Sequence, residues 1–197
     1  MRTAHKLTTV LKTGAAADSN IIFDTFTDAN GTSLDAHTPD TDTVGTGWAV
    51  VTSTYTVESN KADASGSGST AIIDAGTGEV DITATINGIS NDRLGIHYRC
   101  NDGLGVEDAW VYDTSKTQSR FVETIGSGGN VRATLVVSLS DSTDYTMRIV
   151  ATGGSHTGTI DGVNEITTTN TNQQAQTWVG IKGRGTDTHD DYTVVAS

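Results

Sequence analysis

The 197 residues carry a formal net charge of −12, with one proline, 22 glycines and a single cysteine. That acidity excludes unspecific binding to nucleic acid or to an anionic membrane, each of which needs a basic surface. One cysteine excludes an intrachain disulfide, so the fold rests on packing, and the length suits one domain with its own core.

Residues 1 to 20 show no periodicity and hold Arg2, Lys6 and Lys12 against Asp18, a net of +2 that leaves −14 on the rest. They read as an extended N-terminal arm, basic enough to lie on an acidic neighbour, such as another copy of the same body, or else as a solvated terminus. Ala15 to Ala17 has the look of a leader cleavage site, but Lys12 and the threonines around it interrupt the apolar stretch a leader requires.

The domain is predicted to occupy residues 21 to 197. Ile21 to Phe26 reads as the first strand, Asp28 to Gly31 as a turn, and Leu34 to Gly45 as a long irregular loop. Trp48 to Val51 and Tyr55 to Glu58 resume strand character, whereas Ser65-Gly-Ser-Gly-Ser69 reads as a flexible loop. Val80, Ile82, Ala84 and Ile86 alternate with polar residues, as in a half-buried strand, and Arg93 to Cys100 repeats the pattern. Cys100 ends the apolar set Leu94, Ile96, Tyr98 and is expected to be buried and inert. Ala109 to Asp113 and Arg120 to Ile125 follow, then Val131, Ala133, Leu135, Val137 and Leu139 in clean alternation. Gly-rich turns separate the later segments at Tyr145 to Ala151, Gly158 to Asp161, Trp178 to Gly183 and Asp190 to Val194. About a dozen short strands without a 20 to 50-residue repeat predict an all-β, two-sheet antiparallel sandwich.

The motif order Gly95-Ile-His-Tyr-Arg99, Trp110 and Tyr112, Tyr145-Thr-Met-Arg-Ile149, Asp161-Gly162, Val179-Gly-Ile181 and Asp190-Asp-Tyr-Thr-Val194 resembles the concanavalin A-like, laminin G-like jelly-roll superfamily. The front end, Phe23-Asp-Thr-Phe through His37-Thr-Pro-Asp40 to Gly47-Trp48, is similar to jelly-roll modules of bacteriophage structural proteins and some secreted bacterial proteins. The resemblance implies that the first strand pairs with the last and that the His37 to Asp40 loop crosses one edge. It also implies a non-enzymatic virion component: a capsid decoration, head-surface or tail-associated module located in the virion. Its partners would be other virion proteins and copies of itself, a homo-oligomer with a trimer as the guess, joined through Arg2, Lys6 and Lys12. The alternative is a carbohydrate-binding module for polysaccharide attachment.

Candidate sites are few. Trp48, Trp110, Tyr112 and Trp178 could stack on a sugar, and Trp110 and Tyr112 share a strand face, so a glycan site would combine them with His97 and Arg99; the competing fate of that pair is the core. Glu79 and Asp81 stand two apart without the third carboxylate that glycosidases on this fold present, so hydrolysis is not expected. Calcium is a candidate cofactor where the termini meet, on Asp24, Asp190 and Asp191, although acidic surface turns use the same residues. The five histidines lack zinc spacing, and neither nucleic acid nor membrane is an expected partner.

Overall fold

The computed structural model describes residues 20–88, 93–101, 108–126 and 128–197. Arg2, Lys6 and Lys12 of the arm therefore lie outside the described residues, whereas Asn20, assigned to the arm, opens the first strand opposite Val195. The strands in chain order are β1 (Asn20–Asp24), β2 (Thr32–Ser33), β3 (Thr41–Asp42), β4 (Ala49–Val57), β5 (Ala62–Asp74), β6 (Val80–Asn87), β7 (Leu94–Cys100) and β8 (Ala109–Thr114). They continue with β9 (Gln118–Ile125), β10 (Gly128–Val136), β11 (Tyr145–Thr152), β12 (Ser155–Ile160), β13 (Ile166–Thr169), β14 (Trp178–Gly183) and β15 (Thr188–Ala196). One 3-10 turn, Leu34–Ala36, interrupts the loop after β2.

Every pairing is antiparallel, and the order β10-β9-β8-β7-β14-β5-β15-β6-β11-β12-β13 folds over at β5. The first half of β5 pairs with β15 through Ala62 and Asp63, and its second half pairs with β14 through Ser69 to Asp74. Two layers result. The first sheet runs from β10 through β9, β8, β7 and β14 to β5 and β4, and the second from β13 through β12, β11 and β6 to β15 and β1. β1 pairs with β15, Phe23 against Thr193 and Asp24 against Tyr192, so the first and last strands meet.

Ser65 to Ser69, expected as a loop, lies inside β5. Small polar residues carry no hydrophobic period, yet here they let the strand change sheets: Gly66 and Gly68 have φ of +130° and +88°, and the register against β4 slips between Val50 and Thr54. At this φ any larger residue at 66 is strained, and its Cβ, 2.1 Å from the Ser53 hydroxyl, would also force that side chain to turn away. A second bulge, between Val131 and Ala133, turns Val131 outward to half exposure while Ala133 and Leu135 pack against the core.

Inner faces of the two sheets meet in one core. Tyr98, Trp110, Tyr112 and Phe121 of the first sheet are fully buried, and His156 of β12 stacks on Trp110 with centroids 4.3 Å apart. The Tyr98 hydroxyl pairs with His156 Nδ1 at 3.0 Å. Glycine at 158 admits the Tyr112 and Phe121 rings, since a Cβ there would stand 2.9 to 3.0 Å from their atoms. Burying each ring contributes roughly 2–3 kcal/mol. At the β1 end, Asp24 is fully buried and fixes three elements at once: Phe26 N and His37 Nε2 donate to Oδ1 at 2.7 and 2.9 Å, and Trp48 Nε1 donates to Oδ2 at 2.7 Å.

Candidate functional site

Because side chains alternate along a strand, the face of the first sheet turned away from the core is set by the register. Two neighbouring rows cross it. One is Ala49, Ile72, Gly180, His97, Val111, Val122 and Val131; the other is Thr52, Thr70, Lys182, Gly95, Asp113, Arg120 and Thr134. Ile72, Val111 and Val122 are buried yet lie outside the inter-sheet core cluster, as expected for this face.

Both rows have a glycine in the middle. A Cβ on Gly180 would fall 2.1 Å from the Ala71 carbonyl oxygen, and one on Gly95 would fall 2.4 Å from that of Tyr112. Neighbouring backbone therefore approaches too closely for any side chain, and both glycines are buried. Across the sandwich, His189 of β15 is 3.2 Å from the Gly95 carbonyl through Nε2 and anchors that strand.

His97 stands between Gly180 and Val111, 3% exposed, with neither ring nitrogen hydrogen-bonded. Buried polar groups are nearly always partnered, so both nitrogens suit a partner that is not one of the described side chains, such as water or a ligand hydroxyl. Burial, aided by the Lys182 and His189 charges, lowers its pKa to about 3, so the ring is neutral at pH 7, one nitrogen a donor and the other an acceptor.

On the adjacent row Asp113 is fully buried and receives three cations. Arg120 binds it in a fork, Nε to Oδ1 at 2.7 Å and Nη2 to Oδ2 at 3.1 Å; Arg93 Nη1 donates to Oδ1 at 3.1 Å, and Lys182 Nζ stands 3.5 Å from Oδ2. Arg93 Nη2 also donates to Gln118 Oε1 at 2.7 Å. The three cationic side chains remain 24–29% exposed and open to solvent. Trp178, opposite Asp74 and one alternation from Gly180, lies on the same face half-buried. Of the three tryptophans it alone is outside the core.

The expected glycan set is thus divided by the sheet. Trp110 and Tyr112 do share a face, but it is the inner one, where Phe121, Tyr98 and His156 enclose them; their rings are not presented to solvent. Arg99 is buried too, donating from Nε to the Gly78 carbonyl at 2.8 Å and from Nη2 to Glu79 at 3.1 Å. Only His97 is on the outer face. Asp113, Arg93, Arg120 and Lys182 escaped the sequence reading, although a charge in phase with Val111, Val122 or Gly180 inside an apolar strand was a signal for three of them.

The calcium set is not brought together. Asp24 is saturated by the donors named above, Asp190 faces Thr85 of β6 and accepts the Asp191 amide at 2.9 Å, and Asp191 is exposed. Among the described residues no group of three or more His, Cys, Asp or Glu forms a metal-binding cluster. Glu79 and Asp81 are also engaged: Glu79 accepts from Arg99 and from the Gly153 amide, and Asp81 holds Arg148 through both oxygens. Cys100 is buried, and desolvation raises its pKa far above the ordinary thiol value. A cleft of about 370 Å³ opens elsewhere, lined by His37, Thr38, Pro39, Asp42 and Gly45 to Gly47. Asp42 there already accepts the amides of Val44, Gly45 and Gly47.

No protein-family model matches the chain, and no curated protein does. Among solved structures it is similar to carbohydrate binding module CBM66 from Bacillus subtilis, with TM-score 0.63 and 10% identity over 75% of this chain and 94% of that one. Galectin LEC-6 of Caenorhabditis elegans aligns with TM-score 0.50 and 16% identity over 62% and 88% of the two chains. The β-glucanase of Bacillus licheniformis aligns with TM-score 0.57 and 10% identity over 92% and 100%. At these identities the likeness establishes the fold, a concanavalin A-like and galectin-like jelly-roll sandwich.

Proposed function

We propose that the chain is a carbohydrate-binding module that holds a glycan on the outer face of the first sheet and does not cleave it. The observation carrying this reading is His97, a buried imidazole whose two nitrogens have no hydrogen-bond partner among the described residues, on a glycine-centred face beside guanidinium and ammonium groups that are about a quarter exposed. Sugar hydroxyls both donate and accept, as a neutral imidazole requires. Trp178 supplies an apolar ring surface at the end of the same face. The fold likeness to a carbohydrate binding module and a galectin supports the same reading. Cleavage would require two carboxylates flanking the bond. The two rows contain one, Asp113, and three cations surround it.

The role of a virion structural module rests on the resemblance of the segment from Phe23 to Trp48, and none of the structures named above is a virion protein. The two readings are compatible, since a particle can carry a glycan-binding module.

The test is a glycan array followed by titration of tryptophan fluorescence. Saturable binding with a dissociation constant on the order of micromolar is expected. His97→Leu keeps the bulk and removes both nitrogens; it should weaken binding roughly tenfold, the worth of about one charge-free hydrogen bond with its desolvation, while the melting temperature holds or rises. Absence of saturable binding to any neutral or acidic glycan would overturn the proposal.

A further inference from the structure

The distribution of charge on this face narrows the ligand class. In the other Lys and Arg ion pairs found among the described residues, one cation meets one carboxylate: Lys61 with Asp144, Arg99 with Glu79, Lys116 with Asp141, Arg132 with Glu123 and Arg148 with Asp81. Asp113 gathers three cations, a local charge of +2 in a chain of net −12. Its two oxygens are fully occupied, each with two donors. Among the described residues Arg120 Nη1, Arg93 Nε and the remaining Lys182 protons have no acceptor, and their side chains reach solvent. Lys182 is the most loosely held, at the 3.5 Å limit. Asp113 acts as a positioning residue, clamping the two guanidinium planes so that their unused edges are ordered before a ligand arrives. His97 and Lys182 are on rows two residues apart, roughly 7 Å along the strand direction, close enough for one ligand to span them.

We infer that this cluster is a subsite for an anionic group carried by the glycan, a uronate carboxylate or a sulfate ester, with Arg120 and Lys182 as its principal donors and His97 binding a hydroxyl of the same sugar. The inference rests on the glycan-binding reading and specifies its ligand class. A fork of guanidinium donors suits either oxyanion, so the test separates the two.

The full chain is titrated with galactotriose, trigalacturonate and 6-sulfated galactotriose, and separately with sodium sulfate against sodium chloride at equal ionic strength, following the Arg Nε–H and His97 ring signals by NMR. An acidic trisaccharide should bind roughly tenfold tighter than the neutral one, as a charge-assisted hydrogen bond implies. The excess should shrink between 0.05 and 0.5 M salt (both on the order of the range where screening sets in), and sulfate should move the Arg120 Nε–H signal where chloride does not. Whichever acidic ligand binds tighter identifies the anion. Arg120→Gln removes the fork but also strips Asp113 of its main partner and can unfold the sheet. Lys182→Gln, which relinquishes only the longest contact, should keep the melting temperature within a few degrees and bring acidic binding down toward that of galactotriose. Equal affinity for neutral and acidic sugars, with no sulfate-specific shift, overturns the anionic subsite and leaves glycan binding intact. A sulfate-specific shift without binding of any sugar overturns the glycan reading itself, and with it the acidic-sugar assignment.

Discussion

Asp113→Ala is expected to lower the unfolding free energy by about 3 kcal/mol, the low end of the cost of breaking a buried ion pair. The low end applies because the stranded cations, Arg93, Arg120 and Lys182, are each about a quarter exposed and can turn into solvent. In a domain of this size that corresponds to a melting temperature lower by roughly 6–12 °C. Asp113→Asn separates charge from shape, since the amide keeps the volume but offers one acceptor oxygen and an NH₂ that opposes the guanidinium donors. It should destabilise nearly as much as alanine. Urea unfolding of the two variants checks this, and a loss below about 0.5 kcal/mol, the usual scatter of a surface substitution, would show that the cluster does not hold the sheet.

Acid is expected to unfold the protein through three buried histidines, His97, His189 and His156, whose pKa values burial lowers, before most carboxylates titrate. Burial lowers His97 to about 3 and His189 to about 4, the latter partly offset by its bond to the Gly95 carbonyl. Both lie below the ordinary value of about 6.5 that the unfolded chain shows. Their contribution is therefore complete above pH ~6.5 and is lost as pH falls toward the folded values, because the unfolded chain takes up protons that the folded one refuses. His97 and His189 can each remove up to about 3 kcal/mol by pH 4. Asp63 and Asp190, raised by burial, act in the opposite sense near the bottom of that window and soften the loss. Urea midpoints at pH 7, 5.5 and 4.5 should fall steeply in the native chain and less steeply in His97→Leu, by the equivalent of one proton. An identical pH profile for the two would contradict the buried, neutral assignment of His97.

The strand pattern was legible wherever apolar and polar residues alternate. Val80 to Asn87 shows this best: Val80, Ile82, Ala84 and Ile86 are all buried, and the residues between them are partly exposed. Ser65 to Ser69 was not, because serine and glycine carry no period even when they are hydrogen-bonded strand. That Trp110 and Tyr112 share a face followed from their spacing. Which face it is depends on Phe121, Tyr98 and His156, brought together from β9, β7 and β12 by connections the alternation does not specify. The cationic cluster is harder still, since it joins positions 93, 113, 120 and 182, and only the register of β14 against β7 puts Lys182 beside Gly95. His97 was found as a candidate donor from its strand, yet its lack of any partner is a property of the packed structure alone.

The central claim is that the outer face of the first sheet binds sugar. Mapping NMR shift changes of the Ile72, Val111 and Val122 methyls, the His97 ring and the Arg120 Nε–H during titration with the best glycan from the array tests it most directly. The account predicts the largest changes on those groups, with the cleft lined by His37 to Gly47 unaffected. Changes confined to that cleft or to β12 and β13, with the two rows silent, would contradict it.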